Sequence, residues 1–571
     1  MKTKNIIRTI RTATLAVAVS AMATSCDDFL SIEPLSDIVL EKFWTNEADV
    51  TSVMNACYTQ LESADCIQRM IVWGELRSDN MTTGSGISND MNQILKENLL
   101  ETNNLTDWQS FYKVINSCNT VLHYAPSVNE LDPNFTDSEL KATIAEATTL
   151  RALCYFYLIR TFRDVPYVTT PSIDDTQNYR VAPIKFDALL DSLIASVELV
   201  KDDAVRSYGE DAIENTAKIT RWAAYTLLAD MYLWKGEYQR CIDYCDLVIK
   251  EKQRQYEIEH EENATTTTLE LYGDIPLIAE SPSGTTVSGN TYNEIFGTGN
   301  SFESIFELTF MNNQTVTNST ISSLYGSSSV TEGRITAPTY LFSEAYSGNN
   351  KYFSKTDCRY LENMAESSSR VAIQKYVIEE LSFRPSTTSG GAPRVTTTRR
   401  NTNYANWIIY RLSDVLLMKA EAEVELAGNV EGLAEMTEEQ DNHYRRAFAC
   451  VSAVWKRANN KRTATTDTLI YDDYANSRIT MEDLVFDERQ REFLFEGKRW
   501  YDLVRLSRRD NSNTRMVSKV LSKFEQNVAA IRIKLASQDA LFFPYYKNEL
   551  DANPYLEQNA AYVTDDTSAR Q

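Results

Sequence analysis

Residues 222–249 read WAAYTLLADMYLWKGEYQRCIDYCDLVI. Apolar residues recur every three or four positions on both sides of Gly236, the pattern of two amphipathic helices joined by a tight turn. Tyr225, Leu228, Ala229, Tyr232, Gly236, Tyr238, Cys241, Cys245 and Val248 keep the spacing of a tetratricopeptide unit. In such a unit, small residues at 229 and 241 let the two helices approach closely, and rings at 225, 232 and 238 fill the space between units. The same spacing gives Cys241 and Cys245 a packing role, in preference to a redox or metal pair.

Helical periodicity extends outward from this hairpin. It covers 38–62, 105–124, 138–163 (closed by Pro166), 186–201, 217–235 and 238–251, and it returns at 404–428, 440–459 and 483–507. Between these blocks, residues 264–335 are rich in Thr, Ser, Asn and Gly, and 383–403 is a second loop-rich stretch. They carry isolated aromatics and one strand-like run, Ser304 to Phe310 (SIFELTF). The C-terminal tail has few helix signals. The expected fold is mainly α, with tetratricopeptide-type helix pairs as a scaffold around a loop-rich insertion with few short strands. The chain divides into a signal peptide (1–25), a lipidated tether (26–37), an N-terminal helical part (38–263), the insertion (264–403), and a C-terminal helical part with its tail (404–571).

The N-terminus sets the expected compartment. Residues 1–11 (MKTKNIIRTIR) are basic, and 12–24 (TATLAVAVSAMAT) are small and apolar. That stretch has the length of a signal-peptide core and falls short of the ~20 residues that span a bilayer. It ends Ala23-Thr24-Ser25-Cys26, as at a bacterial lipobox, with Ala23 where Leu is usual. Cys26 is therefore the expected lipidation site, and several acyl chains at ~0.8 kcal/mol per buried CH₂ would anchor the protein to a membrane.

With 43% hydrophobic and 24% charged residues, the composition excludes a disordered chain. The net charge of −23 argues against nucleic acid and against electrostatic adsorption to anionic lipid. Three histidines (His123, His260, His443) and no CxxC pair leave little room for metal or triad chemistry, so no metal and no cofactor are expected. The eight cysteines beyond Cys26 are expected to be mostly or entirely free. No nucleophile elbow, HExxH, P-loop or dinucleotide fingerprint occurs.

Several segments together resemble the SusD/RagB family, surface lipoproteins that partner TonB-dependent transporters. These are Cys26-Asp27-Asp28-Phe29-Leu30, Phe43-Trp44 with Ala56-Cys57-Tyr58, and Glu75-Leu76-Arg77-Ser78-Asp79-Asn80. Arg151 to Leu158 leading to Asp164-Val165-Pro166-Tyr167, the hairpin itself, and Tyr410 to Leu417 with Ala420-Glu421-Ala422 continue the series. The block 488–505 (ERQREFLFEGKRWYDLVR) is the most recognisable, and Pro544, Asn553-Pro554 and Gln558-Asn559 match the tail. Arg163, Tyr545-Tyr546 and Ala560-Ala561 depart from the family pattern at turns.

The resemblance implies a cell-surface protein, lipid-anchored to the outer membrane and facing the exterior. It would bind a nutrient, usually an oligosaccharide, and deliver it to a SusC-like TonB-dependent transporter without converting it. A peptide-binding, RagB-like member is a close variant. A surface glycoside hydrolase would instead need two carboxylates ~5–10 Å apart across a cleft. A tetratricopeptide scaffold gripping a protein would need an exposed concave groove. Sugar C–H faces pack on rings, while amides and carboxylates hydrogen-bond hydroxyls. Such groups belong on loops over a rigid frame. That points to Asp79, Asn80, Asn89 and Asp90 after the first helices, and to Tyr292, Phe296, Tyr325, Tyr340 and Tyr346 in the insertion. Glu488, Glu492 and Glu496, spaced by four and interleaved with cations, are expected to stack along one helix as structural ion pairs rather than as hydrolytic carboxylates.

Overall fold

The computed structural model describes residues 43–173, 177–263, 268–279, 287–288, 290–311, 317–326, 333–342, 352–354, 357–366, 370–384, 394–400, 404–430, 432–459 and 469–563. The expected signal peptide and tether, with Cys26, lie outside these residues, as does Tyr346. Among the described residues no helix is long and apolar enough to cross a membrane.

The fold is mainly helical. Its main helices are α1 (Glu47–Leu61), α2 (Ala64–Ile71), α3 (Asn89–Leu95), α4 (Gln109–Leu131), α5 (Asp137–Phe162), α6 (Phe186–Val200), α7 (Arg221–Lys235), α8 (Tyr238–Asn263), α9 (Leu412–Ala427) and α10 (Glu438–Ala458). The C-terminal part adds α11 (Arg478–Glu492), α12 (Arg499–Asp510), α13 (Thr514–Val520), α14 (Val528–Lys534) and α15 (Lys547–Ala552). Local chemistry fixes the ends. Asn46 with Asp49, Thr136 with Glu139, and Thr437 with Gln440 form reciprocal capping boxes at the starts of α1, α5 and α10. Gly236 sits at φ 81°, closing α7 in a left-handed turn that a side chain would disfavour.

Long helices pack in a continuous series. α1 lies on α4, α4 on α5, α5 on α6, α7 on α8, α8 on α9, and α9 on α10 and α11. In the α7–α8 hairpin, Ala229, Cys241 and Cys245 are wholly buried, which lets the backbones close up. The Tyr225 and Tyr244 rings meet at 5.3 Å, and Tyr232 stacks on Tyr244. Tyr232, Tyr244 and Arg240 all donate to Glu198 on α6 at 2.6–2.7 Å, tying the hairpin to the helix before it. Each fully buried Leu, Ile, Val or Phe along this series contributes ~1.5–3 kcal/mol. The eight described cysteines are free and buried.

Strands are few and short. Ser304–Leu308 forms as expected and pairs antiparallel with Trp407–Arg411. That pairing corrects the expected helix over 404–428: residues 407–411 extend as a fully buried strand, and α9 starts only at Leu412. α8 runs twelve residues beyond the expected end at 251; Lys252 there is buried on the Phe302 and Ser304 carbonyls, and residues 253–262 keep solvent contact. The tail, where few helices were expected, holds α13, α14 and α15.

A further correction concerns 483–507, which is two helices, not one. The chain turns at Phe493–Lys498, where Phe495 has φ 67° and Gly497 φ 70°. At this turn the backbone comes hard against a single wide helical turn, Val72–Leu76: a Cβ on Gly74 would sit 1.8 Å from the Gly497 carbonyl oxygen. Glu496 is therefore off the helix that carries Glu488 and Glu492, yet it converges on the same cations. Arg411 donates to Glu492 at 2.6 Å and to Glu496 at 2.8 and 3.1 Å. Arg359 bridges Glu488 (2.8 Å) and Glu492 (2.9 Å), and Arg457 joins Glu303 (2.5 Å) to Glu492. Burial would push Glu496 up, but Arg411 and Lys375 hold it down to about 2. This block fastens the insertion and the strand before α9 to the C-terminal helices.

Candidate ligand-binding cleft

The wide turn Val72–Leu76 leads into a buried elbow, Arg77–Met81. Arg77 lies over the Trp500 ring (4.1 Å) and pairs with Glu97 at 2.7 Å. Asp79 accepts from Arg499 at 2.8 and 2.9 Å. Asn80 donates to Glu75 and accepts from Gln490, both at 2.8 Å. Burial pushes Glu75 up to about 7, even though Asn80 and the amides of Arg499, Phe495 and Lys498 hydrogen-bond it. The elbow is thus locked to α11 and α12. Beyond it, Thr82–Thr83 pairs with Ile335–Thr336 of the insertion, and α3 follows.

Between these pieces lies a cleft of about 920 Å³. One wall is Thr82, Thr83, Lys96 and Asn98; a second is Thr336 to Tyr340 with Arg370; the third is Ser522 to Asn527 and one face of α14. Tyr340 is held in place by donating its hydroxyl to the Asp79 carbonyl oxygen, and its ring lies 5.0 Å from that of Tyr352. Tyr340 and Phe524 supply rings, and threonines, Asn98, Gln526 and Asn527 supply hydrogen-bonding groups. A second hollow of about 420 Å³ lies among α4, the segment 166–181 and α15, lined by Trp108, Tyr112, Asn119 and Asn553.

The cleft reorders the residues singled out in the sequence. Asp79, Asn80, Tyr292 and Tyr325 were expected on outward-facing loops, but each is at most 1% exposed. Their polar atoms face inward: Tyr292 donates to the carbonyls of Gln374 and Ile378, and Tyr325 to that of Phe495 (2.8 Å). Phe296 is buried as well, against Tyr376. Asn89 is exposed in the first turn of α3, and Asp90 accepts from Asn104 at 3.1 Å. Neither lines the cleft. Of the residues named in advance, Tyr340 alone forms part of its described wall.

Sequence reasoning missed the third wall. A signal was there: residues 514–534 (TRMVSKVLSKFEQNVAAIRIK) carry five cations and one carboxylate in a chain of net −23. On α13, Arg515 and Lys519 pair with Glu482, Asp483 and Asp487 of α11, whereas Lys523 and Lys534 face the cleft.

The helical frame thus presents a polar cleft between three separate stretches of the chain. The "SusD family" profile matches residues 278–562, and a second, "Starch-binding associating with outer membrane", matches 28–233. The chain belongs to the SusD/RagB family. It is 22% identical over 558 residues to SusD-like protein P38 of Formosa agariphila, covering 94% of this chain and 96% of that one. It is 23% identical to SusD-like protein P25 of the same organism, covering 84% and 87%. A SusD superfamily protein of Bacteroides vulgatus shares the fold with a TM-score of 0.63 at 17% identity, covering 91% of this chain and all of that one. Surface glycan-binding protein A of Bacteroides uniformis does so at 0.61 and 20%, covering 90% and 100%.

Proposed function

We propose that this protein captures an oligosaccharide in the 920 Å³ cleft and hands it to a SusC-like TonB-dependent transporter without chemical conversion. It works at the outer membrane, facing the exterior, anchored by lipid at Cys26. The observation that carries the reading is the cleft's lining. Hydroxyl and amide side chains stand around Tyr340 and Phe524, the combination that suits a sugar's hydroxyls and C–H faces. Membership of the family, the starch-binding description of the second matching profile and the likeness to the glycan-binding protein of Bacteroides uniformis point the same way.

Binding is favoured over hydrolysis because the described lining holds one carboxylate, Glu525, where glycoside hydrolysis uses a pair. The carboxylates that looked most enzyme-like, Glu488, Glu492 and Glu496, are buried and matched to cations. Tethering beside a transporter raises the effective concentration of cargo, so modest affinity suffices. The test is calorimetric titration of the purified chain with an oligosaccharide panel, followed by chromatography of the recovered ligand. A bound, unaltered glycan whose affinity falls at least tenfold in Tyr340→Ala is expected. Shortened products, or no glycan bound by folded protein, would contradict the reading.

A further inference from the structure

We infer that the oligosaccharide taken by this cleft is anionic, carrying carboxylate or sulfate groups. The inference rests on the cleft being the glycan site. Its described lining includes Lys96, Lys523 and Lys534 against Glu525, a cationic recess in a protein of net charge −23.

What faces the lysines matters more than their number. Five buried arginines of the core, Arg359, Arg411, Arg457, Arg499 and Arg505, each contact at least one Asp or Glu, while Lys252 and Arg400, away from the cleft, meet backbone carbonyls. Lys523 donates instead to the carbonyls of Leu76 (3.2 Å), Arg77 (3.1 Å) and Ser78 (2.6 Å). Lys534 donates to the Glu97 carbonyl (3.1 Å) and the Asn98 amide oxygen (3.3 Å). Those bonds use all three N–H groups of Lys523, which can act on a ligand only through its charge, and two of the three on Lys534. The nearby acids are already engaged, Glu97 by Arg77 and Asp79 by Arg499. Lys523 and Lys534 therefore carry charge that no described carboxylate meets at ion-pair distance, with Glu97, Asp79 and Glu75 acting on Lys523 only from further off. A ligand anion would offset it, with charge-assisted hydrogen bonds from Lys96 and Lys534 about twice as strong as neutral ones. A neutral sugar gains nothing from these charges, and the rings and hydroxyl side chains around them still select a saccharide over a simple anion.

The test is titration of the purified full-length chain with four probes: oligogalacturonate for the carboxylate, a carrageenan oligosaccharide for the sulfate, maltohexaose as the neutral control, and poly-glutamate as a non-sugar anion. One or both acidic glycans should bind at least tenfold more tightly than maltohexaose, and raising salt from 50 to 500 mM should erase most of that margin. Lys96→Gln, at an exposed position, and Lys534→Gln should each lower acidic-glycan affinity several-fold. If Lys534→Gln fails to fold, Lys96→Gln and the salt titration still decide. Maltohexaose binding as tightly as the acidic glycans overturns the anionic assignment and leaves glycan capture standing. Poly-glutamate binding with no glycan binding overturns both.

Discussion

Two cationic clusters lie near the two ends of the segment 485–534, and they differ in what faces them. Around Glu492 and Glu496, cations from the insertion, the strand before α9 and α10 meet carboxylates in the dry core. In the cleft, lysines from α14 and the preceding segment meet carbonyls, an amide and open space. The same side chains thus serve two ends. Where the chain supplies the counter-charge, the cation is structural. Where the chain withholds it beside open space, as at Lys534, the cation is available to a ligand. A count of charges along the sequence does not separate these cases, because the partner comes from elsewhere in the fold.

The sharpest way to break the comparison is to remove one core cation. Arg411→Met leaves Glu492 and Glu496 short of their shared partner, and breaking a buried pair costs ~3–5 kcal/mol. Urea unfolding should show a loss of that size. A loss under ~1 kcal/mol would mean that the block does not hold the halves together.

Acid titration sharpens the same point. Glu496 ionises at about 2 in the fold against about 4.5 in the unfolded chain. A depressed carboxylate adds stability that is complete above the unfolded value and is lost as pH falls through the folded one. For this group the loss, of order 3 kcal/mol, should fall between pH 4.5 and 2 and shrink in Arg411→Met. Equal acid sensitivity of the two proteins would contradict the pairing.

A smaller effect belongs to the cleft. Burial lowers Lys523 to about 8, opposed by Glu97, Asp79 and Glu75 and assisted by Arg77. Nearby Tyr340 is raised well above 10 and Tyr352 to about 12, so both stay neutral across the range. Lys523 is charged below about 8, so acidic-glycan affinity should be full at pH 7 and fall several-fold by pH 9.5. Maltohexaose binding should not change over that interval. A flat profile for both would remove Lys523 from ligand recognition.

Most of the frame was legible because helix periodicity and caps are local. α5, α6 and α7 start and stop within a few residues of where the pattern places them. The errors came from long-range partners. Trp407–Arg411 is a strand because Ser304–Leu308 pairs with it, a contact about a hundred residues away in sequence. The break at Phe493–Lys498 answers to Gly74 and Glu75, which pack against it. The site was the least legible part. Polar and aromatic residues in loop-like sequence look alike whether they line a cleft or fill the space beneath it. Asp79 and Tyr325 are buried supports, and the wall made by 522–534 lies in the tail, where the sequence carries few helix signals.

Hydrogen–deuterium exchange of the full-length protein, with and without the glycan it binds most tightly, tests the central claim most directly. Protection concentrated in 82–98, 336–340 and 522–534, with the Glu492 block unchanged, is the result predicted. Protection confined to the hollow around Trp108 and Tyr112, with the three cleft walls unaffected, would contradict it.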